Sequence, residues 1–151
     1  MQILFVVRIL GVLLMAFSVT LLPPIFVGII YQDGELPKFV EAALIVMVSG
    51  LALWALGRQP SSRLRTRDGF IIVTLTWLAF SLMGSLPFVL GLGLPLTDAF
   101  FEAASAFTPT GPTVLEGLDA MPKSILFYRS ELQWLGGMGV IVLAIALLPL
   151  L

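Results

Sequence analysis

The sequence predicts an all-α membrane protein: two leading transmembrane helices, then one repeat of membrane helix, re-entrant loop and membrane helix. Three observations carry this. Hydrophobic residues make up 59% of the 151-residue chain and charged residues 11%, far from the balance of a soluble domain. Four apolar stretches are each long enough to cross the ~30 Å of hydrocarbon in a bilayer. Between the third and fourth stands TDAFFEAASAFTPTGPT, residues 97–113, an amphipathic run that ends in a Thr/Pro/Gly turn. The organisation read from these is a two-helix membrane hairpin over 1–57, a basic linker over 58–69 and a helix–loop–helix repeat over 70–151.

Composition removes several function classes. A net charge of −1 gives no basic footprint for nucleic acid. Cysteine and histidine are both absent, which excludes disulfides, thiolate chemistry, His/Cys zinc sites and any His-based triad. No acid pair stands deep in a span, so no enzyme and no cofactor are expected, and the membrane itself is the first partner.

The first span is Ile3–Tyr31, with Arg8 as its only charge, placed to snorkel to an interface. Pro23-Pro24 should kink its far third. The apolar run is too long for a cleavable signal peptide, and no A-x-A site follows it. Gln32–Lys38 is a hydrophilic turn broken by Asp33-Gly34 and Pro37. Phe39–Leu56 is the second span, with Trp54 as an interface anchor. Arg58, Arg63, Arg65 and Arg67 then crowd the linker, half of all the Lys and Arg. The positive-inside rule makes that linker and the N-terminus cytoplasmic; binding of anionic lipid headgroups is a second, compatible role.

Phe70 to about Leu90 is the third span, broken beyond Pro87 by Gly91, Gly93 and Pro95. Residues 97–113 therefore enter from the outside. Thr97 is expected to cap a helix over Asp98–Phe107, with Asp98 and Glu102 favouring its positive end. Ten residues make ~15 Å, about half the hydrocarbon thickness. Pro109 disfavours helix at Thr108 and removes a donor, so Thr110 and Gly111 continue as non-helical backbone. Such backbone is tolerated at membrane depth only where protein or an aqueous cavity surrounds it, and its carbonyls suit a cation. The same residues would also make an ordinary extramembrane turn. What favours the re-entrant reading is the apolar, aromatic flank Ala99–Phe107.

Glu116, Asp119 and Pro122 mark an outer hydrophilic segment, whose acids either concentrate cations or are solvated loop. The fourth span begins at Ser124, with Arg129 and Glu131 in its first two turns, where snorkelling is available. Gly136-Gly137-Met138-Gly139 lacks the strand–turn–helix setting of a nucleotide fingerprint. It fits close approach of a neighbouring backbone instead, and the natural neighbour is the half-helix. The span runs apolar to Leu151 without a closing Lys or Arg, so a chain cut short of a longer protein is expected.

The filter turn followed by GLDAMP and then FYR…QWLGGMG resembles the Trk-type (TrkH-like) potassium uptake subunits of the Trk/Ktr/HKT superfamily. The resemblance reaches back through RTRDGFIIV to the YQDGE turn and covers essentially the whole chain. It implies four membrane–pore-loop–membrane repeats around one pore, of which two leading helices and the first repeat stand here. It further implies potassium uptake across a bacterial inner membrane, the ion being substrate, and a selectivity filter of Thr108, Pro109, Thr110 and Gly111 supported by Pro112 and Thr113. Backbone carbonyls of Thr108, Thr110 and Gly111 would hold K+. The implied partners are the remaining repeats, or further copies of this chain, and a cytoplasmic nucleotide-binding regulatory subunit of the TrkA type. Two departures stand out: the family usually carries Thr at the Pro109 position and a small residue at the Pro112 position. Each proline lacks an N–H, so fewer hydrogen bonds from behind the filter are expected. The competing reading is a non-conducting membrane module that packs against partner helices.

Overall fold

The computed structural model describes residues 3–57 and 66–147, without the side chains of 66, 67 and 142–147. Arg58, Arg63, Arg65 and the side chain of Arg67 therefore lie outside the described residues, as does the chain beyond Leu147. All regular structure among the described residues is helical.

Pro23 and Pro24 lack the N–H groups that would bond the carbonyls of Val19 and Thr20. The first span accordingly breaks into α1 (Ile3–Val19) and α2 (Leu22–Tyr31). A tight turn joins them, in which Thr20 and Leu21 donate to Phe17 and Ser18 at 3.1 and 3.3 Å. α3 (Leu36–Leu56) returns along α1. Glycines make that crossing close: a Cβ on Gly11 would lie 2.5 Å from the Trp54 nitrogen, and one on Gly50 would lie 2.9 Å from the Gly11 oxygen. At the linker end the Arg8 guanidinium sits 4.8 Å above the Trp54 ring, a cation–π contact that holds both anchors together. Gly11→Ala should therefore lower the melting temperature of the detergent-solubilised protein by several degrees, since overpacking costs roughly 1–3 kcal/mol. An unchanged melting curve would contradict the close crossing.

The third span, Asp68–Leu92, is also long and apolar enough to cross a membrane, and it too is broken by a proline. α4 (Thr66–Gly84) and α5 (Leu86–Leu92) meet at Ser85. α4 starts four residues ahead of Phe70, inside the stretch read as linker, with Asp68 in its first turn, where the helix dipole favours an acid. Phe88 donates to Ser85 instead of Gly84, and the Gly84 carbonyl accepts from the Tyr128 hydroxyl at 2.9 Å. Tyr128 is fully buried between Phe39 and Phe88, with ring centroids at 5.6 and 5.5 Å.

α6 (Leu96–Phe107) is the half-helix, followed by extended chain, a 3-10 turn at Leu118–Ala120, and α7 (Lys123–Leu147). α7 packs on α2 and α6, and α4 packs on α1 and α6. The Gln32–Glu35 turn ties several of these ends. Asp33 accepts from the Ser124 N–H at 2.9 Å, in the first turn of α7, and from the Glu35 N–H at 3.3 Å. Lys38 pairs with the buried Glu35 and donates to the Gly91 carbonyl, both at 3.2 Å. Partial burial raises the Asp33 carboxyl, but hydrogen bonds from Ser124 and Glu35 outweigh it, leaving it below its ordinary value. Its stabilising contribution is therefore complete above about pH 4 and fades as pH falls through the lowered value.

Candidate functional site: the re-entrant loop

α6 has 12 residues, ~18 Å, a little over half the hydrocarbon thickness. It starts earlier than expected. Pro95, with φ −55 and ψ 145, occupies the cap position, and no side chain caps the helix. The Thr97 hydroxyl instead faces Asp98 at 3.4 Å, so the expected Thr97 cap is corrected. The other end is as read: the last helical residue is Phe107, and Thr108 leaves the helix at φ −92, ψ 18. From Thr110 to Gly117 the chain has no helical structure. Gly111 sits at φ +86, a conformation that only glycine adopts without strain. Thr108, Pro109, Thr110, Gly111, Pro112 and Thr113 are all exposed within this chain.

The pore-helix end is fixed from two sides. Phe107 packs against Trp77, Phe80 and Phe17, with ring centroids at 4.6, 5.4 and 6.4 Å. Edge-to-face pairs of this kind contribute ~0.5–1.5 kcal/mol each beyond their buried area. Gly136 of α7 touches the other side, where a Cβ would lie 1.8 Å from the Phe107 carbonyl oxygen. A Cβ on Gly139 would be 3.3 Å from Trp77, whereas Gly137 faces open space. The glycine cluster therefore serves close approach to the half-helix, as its composition suggests, and one residue carries most of that role.

The strand beyond Phe107 is held from behind by side chains. Thr110 N–H donates to the Ser105 carbonyl at 3.1 Å, and Ser105 Oγ donates to the Pro112 carbonyl at 2.5 Å. Glu102 has no exposed surface. Its carboxylate accepts from the Val114 N–H at 3.0 Å, lies 3.0 and 2.9 Å from Thr113 Oγ1, and pairs with Arg129 Nε. Arg129 Nη2 donates to the Gly111 carbonyl at 3.2 Å. Reading Glu102 as a helix-end residue and Arg129 as snorkelling is thereby corrected: on α6 the Glu102 side faces inward, and a buried carboxylate needs a charge partner. Pro109 and Pro112 do not leave the strand unsupported, because Pro112 keeps a carbonyl that Ser105 uses. Sequence reasoning missed Ser105, Glu102 and Arg129 as a set. Spacing on α6, where Ala99, Glu102, Ser105 and Ala106 fall on one helical face, was an available signal that Glu102 and Ser105 point inward, but it carries no sign of Arg129. Glu116 and Asp119 are exposed, in keeping with solvated loop.

Among the described residues no group of three or more acidic side chains could hold a metal ion. Residues 108–113 are exposed and carry only uncharged oxygens, those of backbone carbonyls and threonine hydroxyls. The α6 C-terminus, carrying the negative end of the helix dipole, points at Thr108.

Comparison with known proteins gives the family of the chain. The TrkH family model, described as cation transport protein, matches residues 35–151. The chain is 48% identical over 153 residues to the Trk system potassium uptake protein TrkH of Vibrio parahaemolyticus, covering 100% of this chain and 32% of that protein. It is 45% identical over 148 residues to the TrkH protein of Escherichia coli K12, covering 97% and 31%. The crystal structure of the potassium transporter TrkH from Vibrio parahaemolyticus superposes with a TM-score of 0.92 at 48% identity, over 99% of this chain and 32% of that one. The chain thus spans about a third of the length of these relatives. With the family match covering the whole re-entrant loop and both helices that flank it, this chain belongs to the TrkH family of cation transport proteins.

Proposed function

We propose that this chain supplies one quarter of a potassium-conducting pore. K+ enters from the outer face, sheds part of its hydration onto the carbonyls of Thr108 and Thr110, and passes down its electrochemical gradient through an inner membrane. Gly111 contributes the lone pair that Arg129 leaves free, since a carbonyl oxygen has two. Pro109 stiffens the entry to the strand, and Pro112 and Thr113 fix its exit through Ser105 and Glu102. The single observation that carries this reading is the break at Phe107, where a half-length helix gives way to extended backbone held from one side only. The other side of that strand is exposed, and the remaining repeats of a longer chain, or further copies, would close the pore there. The N-terminus and the basic linker are cytoplasmic by the positive-inside rule. A nucleotide-binding regulatory subunit of the TrkA type would act from that side. Catalysis of a chemical reaction has no part in this function.

Gly111→Ser tests the filter assignment. A side chain at φ +86 is strained by roughly 1–2 kcal/mol, which the strand relieves by turning its carbonyls. In the full-length protein, expressed in cells lacking other potassium uptake, the expected result is loss of discrimination between K+ and Na+, with uptake reduced about tenfold. Unchanged uptake and unchanged discrimination would refute the assignment.

A further inference from the structure

The segment that carries the filter leaves the bundle after α5 and rejoins it at α7. Both stems are held by one short turn and the first turn of α3 that follows it. Lys38 Nζ grips the Gly91 carbonyl at 3.2 Å, at the end of α5. Asp33 Oδ2 accepts from the Ser124 N–H at 2.9 Å, at the start of α7. Glu35 links the two grips: its backbone N–H bonds Asp33 at 3.3 Å and its carboxylate pairs with Lys38 at 3.2 Å. The side chain of Glu35 is nine-tenths buried, and the residues it faces leave little slack, since a Cβ on Gly91 would lie 2.8 Å from Glu35 Oε2 and 3.0 Å from Ile125. These side chains belong to the leading hairpin, outside the pore repeat, and nothing in ion coordination requires them.

We infer that the Asp33–Glu35–Lys38 turn is a latch that sets the geometry of the filter, with Asp33 as a positioning residue for ion discrimination. The path is short and physical. Ser124 and Arg129 lie on one continuous helix, five residues and ~7.5 Å apart along its axis. Arg129 in turn holds the Gly111 carbonyl and the buried Glu102 carboxylate. Whatever fixes the first turn of α7 in height and rotation therefore fixes where Arg129 meets the strand. Asp33 does so by satisfying an N–H group that the helix itself leaves unpaired, and its negative charge favours that end of the helix. Lys38 does the same for the opposite stem, so the two stems cannot separate or slide while the latch is closed. The leading helices thus act as a brace for selectivity as well as a membrane anchor.

This inference rests on the filter reading, and one experiment separates them. Full-length protein is reconstituted in proteoliposomes at matched amounts, and uptake of K+ and Na+ is measured for Asp33→Ala, Asp33→Asn, Lys38→Met and Gly111→Ser. Removing a capping acid loosens a helix start enough to change the K+ over Na+ ratio about fivefold. The expected result is that fall in Asp33→Ala, a smaller one in Lys38→Met, and recovery of most of the ratio in Asp33→Asn, which keeps an acceptor oxygen. A wild-type ratio in both Asp33→Ala and Lys38→Met, with Gly111→Ser altered, overturns the latch and leaves the filter standing. A wild-type ratio in Gly111→Ser as well overturns the filter reading itself. Should Asp33→Ala and Lys38→Met both fail to reach the membrane while Asp33→Asn does, the turn serves folding alone and the inference is again wrong.

Discussion

Gly136→Ala is expected to abolish potassium uptake by the full-length protein. The added methyl would stand 1.8 Å from the Phe107 carbonyl oxygen and 2.6 Å from its carbon, and both are backbone atoms that no rotamer change can move aside. The pore-helix end must shift, yet Phe107 is wedged on its other side against Phe17, Trp77 and Phe80. Close-packed interiors transmit such a displacement instead of absorbing it, so Thr108 and Thr110 move with the helix. The energetic cost is at the upper end of the overpacking range, about 3 kcal/mol, which corresponds to more than a hundredfold if it falls on the conducting geometry. Gly137→Ala is the internal control, since a Cβ there meets nothing within 4 Å. Uptake and melting temperature measured for both variants check the claim: equal effects at the two positions would contradict it.

Glu102→Ala should be as damaging, by a different route. The substitution leaves the Arg129 guanidinium without its partner and strips acceptors from Thr113 and the Val114 N–H. Breaking a buried pair by removing one member costs ~3–5 kcal/mol, because a charge remains uncompensated. Glu102→Gln is expected to fail nearly as badly, since its amide presents a donor where two donors already converge. Removing both charges together, as Glu102→Gln with Arg129→Met, should recover part of the lost stability without recovering ion discrimination, because the Gly111 carbonyl would still lack its donor. Thermal unfolding of the four proteins, with Na+ and K+ uptake on the same preparations, provides the readout. Single substitutions that melt like the wild type would remove the pair from any structural role.

Much of the architecture was legible because it follows from hydropathy and from proline chemistry. Pro23-Pro24 interrupt the first span where missing N–H groups leave carbonyls without donors, and the helix end at Phe107 follows from Pro109 two residues later. The break at Ser85, ahead of Pro87, was not expected, since the third span reads as continuous to the Gly91, Gly93 and Pro95 breakers. Gly136 was legible as a close-approach site through its neighbours in the glycine cluster, although nothing in the sequence distinguished it from Gly137. The start of α6 was misjudged because Pro95, with its fixed φ, competes with Thr97 for the cap and wins. Glu102 and Arg129 were read separately for a simple reason: they stand 27 positions apart, and no periodicity on either helix reveals a contact between two helices. Asp33 escaped notice on the same ground. Its partner Ser124 is 91 positions away, and a turn rich in Asp, Gly and Glu looks like solvated loop until its donors are found.

The account depends on monovalent cations meeting backbone oxygen at the strand that follows Phe107. Crystals of the full-length protein grown with Tl+ or Rb+ in place of K+ test this directly through the anomalous signal of the ion. A peak within coordination distance of the Thr108 and Thr110 carbonyls, on the side of the strand away from Ser105 and Arg129, is the predicted result. Ion density confined to carboxylates such as Asp98, Glu116 or Asp119, with none along residues 108–111, would contradict it.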